Sequence, residues 1–233
     1  MEISSIKICR HCQDIDDFVD NRMALKQLNE YHKRGPGKTA RVLLNYLTTE
    51  EIQGSTLLDI GGGVGILQHE MFKAGISHAT HVDASSSYLQ VSKEEANRQG
   101  YADRITQIFG DFVDLATAVP DADIVTSEKV ICCYPDVEKF VTASATHSKR
   151  SYGIVYPKNS WWLKLGFALM NIFFWIRRKD FRLYNHSKET IHTILEKLGF
   201  ELCFQSSTWF DLIEIHQKRR TETIAFREEP LEK

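Results

Sequence analysis

Leu57-Leu58-Asp59-Ile60-Gly61-Gly62-Gly63-Val64-Gly65 is the stretch that decides the fold of this 233-residue chain. It reads as a short apolar strand ending in an acid, then a glycine-rich turn, then a helix opening at Val64 or Gly65. Glycine permits a tight turn and a close ligand, because no Cβ stands in the way. A helix start adds unpaired N–H groups and a positive dipole end beside that turn. The spacing is D-x-G-x-G-x-G, carried by Asp59, Gly61, Gly63 and Gly65. The dinucleotide fingerprint G-x-G-x-x-G needs its third glycine one residue later, where this chain has Ile66. The spacing therefore disfavours a nicotinamide cofactor.

Two more acid-ended turns follow. His78-Ala79-Thr80-His81-Val82-Asp83 reads as a second strand, with Asp83 and Ala84 at its end. Asp83 falls about 20 residues past the glycine turn, where a doubly wound sheet places a ribose-binding carboxylate. A carboxylate has acceptors on two oxygens and a vicinal diol has two donors, so the match is bidentate. The competing role for Asp83 is a helix N-cap, which Ser85 or Ser86 can fill instead. Ile105 to Phe109 reads as a third strand running into Gly110-Asp111-Phe112. Ala122 to Ser127 reads as a fourth, continuing into Glu128-Lys129-Val130-Ile131-Cys132-Cys133-Tyr134-Pro135-Asp136. The fourth strand ends at the topological switch point, where ligands sit in open α/β sheets.

The series Asp59, Asp83, Asp111 around the glycine turn resembles the class I S-adenosylmethionine-dependent methyltransferases. The resemblance covers about residues 31–216. Within that class the segments ADIVTSEKVICCYPD, YGIVYPKNSWW and FRLYNHS are similar to a bacterial small-molecule group loosely labelled magnesium-protoporphyrin O-methyltransferase-like. It implies an α/β fold: a Rossmann-like, seven-stranded, mostly parallel sheet with helices on both faces and an antiparallel closing hairpin. It implies S-adenosyl-L-methionine as cofactor, held by Asp59, Gly61, Gly63, Gly65, Asp83 and Ala84. At the adenine, Asp111 would accept from the exocyclic amine and Phe112 would cover the ring. Tyr31, Arg34 and Lys38 would approach the methionine carboxylate. Glu128 stands where cofactor and acceptor should meet.

The remaining chain frames this centre. Residues 1–35 read as a leader and cover helix, with apolar positions from Ile15 to Leu28 at helical spacing and Asp14 as its cap. Gly35-Pro36-Gly37 breaks that helix, and a second starts at Thr39. The methyltransferase domain is read as 36–218, with 158–186 as a substrate-cap insertion and 219–233 as a charged, loose tail. Tyr134-Pro135-Asp136 is read as opening the next helix, with Pro135 in its first turn. Tyr152 to Pro157 is a fifth strand, and Phe200–Gln205 with Thr208–His216 pair as the closing hairpin.

Trp161 to Ile176 is the most apolar run in the chain, and Arg177, Arg178 and Lys179 follow it. It is shorter than the ~20 apolar residues a bilayer span needs, and Lys164 and Asn171 interrupt it. Two readings stand: an aromatic roof on the acceptor pocket, or an interfacial helix in peripheral contact with a membrane through 161–179.

Net charge is -2, with no basic domain and no N-P-P-Y motif after the fourth strand, which argues against nucleic acid. No signal peptide is visible, and five cysteines form no disulfide framework, so a reducing cytoplasm is the expected location. Cys9-x-x-Cys12 lacks the further ligands of a zinc site, and no metal is expected.

The reading is an enzyme that moves the methyl of S-adenosylmethionine to an O, N or C atom of a small, hydrophobic or planar acceptor. A hydroxyl or amine acceptor must lose a proton. His186 is the first candidate base, with Tyr134, Glu128 and Tyr31 as alternatives. A competing reading from another class is a catalytically inactive module that binds S-adenosylmethionine for regulation. Oligomeric state is not legible.

Overall fold

In this computed structural model, residues 10–49 and 51–219 are described. Cys9 and the expected tail from residue 220 fall outside them. Among the described residues three helices precede the first strand: α1 (Arg10–Phe18), α2 (Asn21–Arg34) and α3 (Lys38–Leu47). The expected single cover helix is two. Val19-Asp20 interrupts it, because the Asp20 side chain accepts from Met23 N at 2.8 Å and caps α2. Asp14, expected as a cap, lies inside α1, and its carboxylate accepts from the N–H groups of Asp180 and Phe181.

The sheet then builds as β1 (Thr56–Ile60), α4 (Ile66–Lys73), β2 (His78–Asp83), α5 (Ser86–Gln99), β3 (Ile105–Phe109), α6 (Phe112–Leu115) and β4 (Ala122–Glu128). It continues with α7 (Val137–Thr146), β5 (Ser148–Pro157), α8 (Trp161–Ile176), α9 (Lys188–Lys197), β6 (Phe200–Ser207) and β7 (Asp211–Lys218). The α7 start corrects the expectation for Pro135: Asp136 is the N-cap, bonded to Lys139 N at 2.9 Å, so the proline precedes the helix.

Strand order is β3-β2-β1-β4-β5-β7-β6. The first five strands run parallel, and β7 is antiparallel to both β5 and β6. This is the expected seven-stranded, mostly parallel sheet with a closing hairpin. A parallel sheet must be covered on both faces, and strand alternation sends neighbouring residues to opposite layers. Leu57 packs under α3 and α4 with Leu43, Leu67 and Met71. Leu58, one residue on, packs on the other side with Phe140, Val141 and Ile194 of α7 and α9. A third cluster seats α2 over the glycine turn, through Ala24, Leu28 and Tyr31 against Val64 and Val91.

Candidate active site

Strand order reverses between β1 and β4, and a cavity of about 890 Å³ lies at their carboxyl ends. Gly61, Gly62 and Gly63 form part of its wall, with Asp83, Ala84 and Glu128. Gly61, Gly63 and Gly65 adopt φ of 65°, 58° and 80°, the left-handed region that L side chains avoid. A Cβ on Gly61 would stand 2.2 Å from Val130 Cγ2, just past the end of β4. Gly62, which the motif spacing does not single out, is required for a different reason: its Cβ would stand 2.2 Å from Asp59 Oδ2.

Asp59 is displaced from its expected role. It is fully buried and does not line the cavity. Its Oδ1 accepts from Thr126 Oγ1 at 2.7 Å and its Oδ2 from Gln68 Nε2 at 3.0 Å. Burial raises its pKa. Asp59 therefore braces the turn from beneath. Gly65 also sits off the wall, as the N-cap residue of α4 with Ser92 Oγ 2.6 Å from where its Cβ would be.

Asp83 is on the wall and nearly buried. Its Oδ2 accepts from Gly63 N at 2.9 Å and its Oδ1 from Ser85 N at 2.8 Å. One carboxylate thus ties the end of β2 to the glycine turn. Each oxygen has a second lone pair, so acceptor capacity remains for a diol. Ser85 takes the capping role on α5, its hydroxyl accepting from Tyr88 N at 3.3 Å.

Asp111 caps α6. Its Oδ1 accepts from Val113 N at 2.8 Å and from the Tyr134 hydroxyl at 2.9 Å. Its neighbours Gly110 and Phe112 line the cavity. Tyr31 lines it too, but its hydroxyl donates to Glu70 and receives from Lys73 Nζ at 3.1 Å, so that group is aimed at α4. Arg34 and Lys38 stand on the cavity rim.

Glu128, the last residue of β4, is the half-buried carboxylate at the other wall. Desolvation raises its pKa, against a hydrogen bond from Thr39 Oγ1. Thr39 was not singled out from sequence. Its pairing with Glu128 spans 89 residues, and no local pattern signals such a contact. Lys129 follows in a left-handed conformation, φ 62°, with Nζ 3.7 Å from Asp211 Oδ2. Strained backbone of this kind recurs at ligand sites.

The other base candidates change rank. Burial and the adjacent Asp111 carboxylate push the Tyr134 phenol up, so it stays a donor. Cys133 lines the cavity, and its hydrogen bond with Cys132 together with burial raises the thiol well above its usual range. That fits the packing role expected of this pair. His186 is not on the cavity wall. Its Nε2 donates to the Tyr134 carbonyl at 2.9 Å, and its ring stacks with Tyr184. The structure brings together Glu128, Thr39 and Lys129, and leaves His186 behind Tyr134.

A polar cluster that sequence reading missed lies on the α9 face of the sheet. The ligand atoms of His192, Glu214 and His216 fall within 4.8 Å of one another. Glu214 is fully buried, receives the Tyr156 hydroxyl at 2.8 Å, and has Lys188 Nζ 3.7 Å away. Burial would raise its pKa, but His216, Tyr156 and His192 together lower it. Its charge is therefore matched from several sides.

The strand order and the closing antiparallel hairpin make a Rossmann-like, methyltransferase-type fold. A methyltransferase domain family matches residues 58–151. Magnesium protoporphyrin IX methyltransferase (ChlM) from Synechocystis PCC 6803, solved with bound SAH, is similar over 89% of this chain and 99% of its own, with 18% identity and TM-score 0.69. An O-methyltransferase family protein from Burkholderia thailandensis covers 94% of this chain and 67% of its own, with 13% identity and TM-score 0.66. By sequence, protein arginine N-methyltransferase 1 of Saccharomyces cerevisiae is 31% identical over 103 residues, or 43% of this chain. The matched stretch spans only 29% of that yeast protein.

Proposed function

We propose that this protein transfers the methyl group of S-adenosylmethionine to a small acceptor with an apolar or planar body. The observation that carries the reading is a single cavity holding both Asp83, tied to Gly63 N, and the half-buried carboxylate Glu128, whose pKa desolvation raises. When bound, the cofactor supplies a methyl already activated on a sulfonium, so the protein's work is alignment and electrostatics.

Asp83 accepts from the ribose hydroxyls, with its own position fixed by two backbone N–H groups. Gly61 to Gly63 allow close approach beside it. Gly110 and Phe112 border the adenine, beside the capping carboxylate of Asp111. Arg34 and Lys38 offer cations at the rim for the methionine carboxylate, and the Tyr31 ring closes that side. Glu128 takes the proton of a hydroxyl or amine acceptor; its raised pKa suits it to that task. A carboxylate acceptor needs no base, and Glu128 then serves to orient.

The acceptor class rests on the wall beyond Glu128. Ile15, Val130 and Cys133 give it an apolar character suited to a flat or greasy molecule. The likeness to magnesium protoporphyrin IX methyltransferase supports a planar acceptor.

The test is purified protein with methyl-deuterated S-adenosylmethionine and a small-molecule extract, read by mass spectrometry. A labelled small molecule is the expected product. Label found on polypeptide alone would overturn the acceptor class. Cofactor binding by calorimetry with no label transferred anywhere would establish the inactive binding module instead.

A further inference from the structure

Helix α8 is exposed on nearly every side, yet it is the most apolar of the described helices. Only Leu163 and Phe174 are buried. Trp161 is 77% exposed, Leu169 60%, Trp175 69% and Ile176 65%. A helix that is apolar all round needs protein or lipid around it.

The turn between β6 and β7 extends the same surface. Trp209 and Phe210 are 76% and 54% exposed, and their rings meet Trp162 at centroid distances of 6.4 Å and 5.4 Å. All four tryptophans of the chain, Trp161, Trp162, Trp175 and Trp209, therefore belong to one patch. Tryptophan favours the boundary of water and hydrocarbon, where its ring is buried and its N–H is wet.

Charge selects the occupant. Residues 158–179 hold five cations and no acid, in a chain whose net charge is -2. Lys179 is engaged with Asp14 and Asp17 of α1, but Lys164, Arg177 and Arg178 are exposed. Arg177 stacks on the Phe173 ring at 5.2 Å, which sets a guanidinium beside exposed aromatic surface. Two copies meeting face to face through this patch would bring like charges together. An anionic lipid surface complements them. At ~1.5 Å per residue, α8 falls short of the ~30 Å hydrocarbon thickness. Among the described residues no helix is long and apolar enough to cross a membrane.

We propose that α8 and the β6–β7 turn dock in the plane of an anionic phospholipid bilayer. The tryptophans and aliphatic residues enter the acyl boundary, and Lys164, Arg177 and Arg178 meet the headgroups. Thr208 and Asp211, which flank Trp209 and Phe210, also line the cavity, so docking brings the cavity rim to the lipid surface. Of the two sequence readings of this helix, the membrane contact is the one this exposure supports.

The test is co-sedimentation of the full chain with phosphatidylglycerol-rich vesicles and with pure phosphatidylcholine vesicles. Binding to the anionic vesicles, with a blue shift of tryptophan emission, is expected. The double variant W161S/W175S should weaken partition at least about tenfold. R177E/R178E should lose the preference for anionic vesicles, by about fivefold per charge. Both variants should keep wild-type affinity for S-adenosylhomocysteine, which separates docking from folding. Failure of the wild-type chain to sediment with either vesicle would overturn the proposal. So would a lipid-free dimer by sedimentation velocity that W161S/W175S converts to monomer, since a second copy would then be the occupant.

Discussion

The glycine turn and helix α8 bury opposite things. Beneath the turn, Asp59 and His69 are polar and wholly inside, and Asp83 is nearly so. On α8, tryptophan, leucine and isoleucine stand in the open. A buried polar group costs stability unless every partner is in place, so such a region has one geometry or fails. Exposed apolar side chains make no such demand, and their positions can adapt to a soft surface. The difference sets the region of fixed geometry at the β1–β4 crevice and the adaptable surface on α8.

The sharpest way to break this contrast is Asp83→Ala. It removes the acceptor for Gly63 N and Ser85 N together with the proposed ribose contact. Affinity for S-adenosylmethionine should fall on the order of a thousandfold, at about 1.5–3 kcal/mol for each bond to a charged group. Calorimetry reads this directly. Unchanged affinity would remove the crevice as the cofactor site.

The next effect is on stability. His69 lies under the glycine turn, with Nε2 donating to the Val64 carbonyl at 2.9 Å and Nδ1 bonded to the Tyr101 hydroxyl. Burial lowers its pKa from 6.5 to about 4, although the Val64 contact works the other way. Between those values the unfolded chain holds the proton and the folded chain does not, so stability rises with pH. The contribution is complete above pH 6.5 and is lost as pH falls toward 4. Full loss amounts to about 3 kcal/mol. Urea melts at stepped pH should show that slope for the wild type, and His69→Gln should flatten it. A slope that survives the substitution would assign the acid lability elsewhere.

Asp59 and Asp83 also show what a sequence can and cannot reveal. The glycine spacing and the acids at the ends of β1, β2 and β3 fixed the order of the elements, because each is a local pattern with a local physical cause. The bounds of α8 were legible for the same reason: one long apolar run, broken only at Lys164 and Asn171. The roles of the acids were not equally legible. Asp59 and Asp83 look alike in the chain, but one is braced by Thr126 and Gln68 and the other faces the cavity. Only the packing of α4 and β4 against β1 separates them. The Thr39–Glu128 contact and the retreat of His186 behind Tyr134 are likewise products of tertiary approach. The break at Val19-Asp20 carried a visible capping signal, which the helical spacing on either side masked.

On α8 the expected change in stability is near zero. Trp161→Ser should move the folding free energy by no more than about 0.5 kcal/mol, as for an exposed position with no special role. The same chemical change in the core, where Phe140 or Tyr152 is fully buried, would cost several-fold more. Thermal melts with and without vesicles sharpen the contrast: the variant should match wild type in buffer and lag behind it when lipid is added. A large loss in buffer would mean that Trp161 is structural, and α8 would then be a roof and not a docking face.

The smallest effect concerns His186. Its Nε2–H is committed to the Tyr134 carbonyl, and that bond holds the segment 131–134 against the segment before α9, where Tyr184 N also donates to the Cys132 carbonyl at 2.7 Å. Loss of one of two ties should loosen Tyr134 slightly and disturb the cavity wall by a fraction of an ångström. His186→Ala should therefore lower turnover by no more than about fivefold, in line with the net worth of one ordinary hydrogen bond. Cofactor affinity should hold, and the shape of the rate against pH from 6 to 9 should be that of the wild type, because the base proposed for the acceptor is Glu128. A profile that loses its limb near neutral pH in this variant would return His186 to the role of base. It would also mean that the Tyr134 contact opens during turnover to admit the imidazole to the cavity.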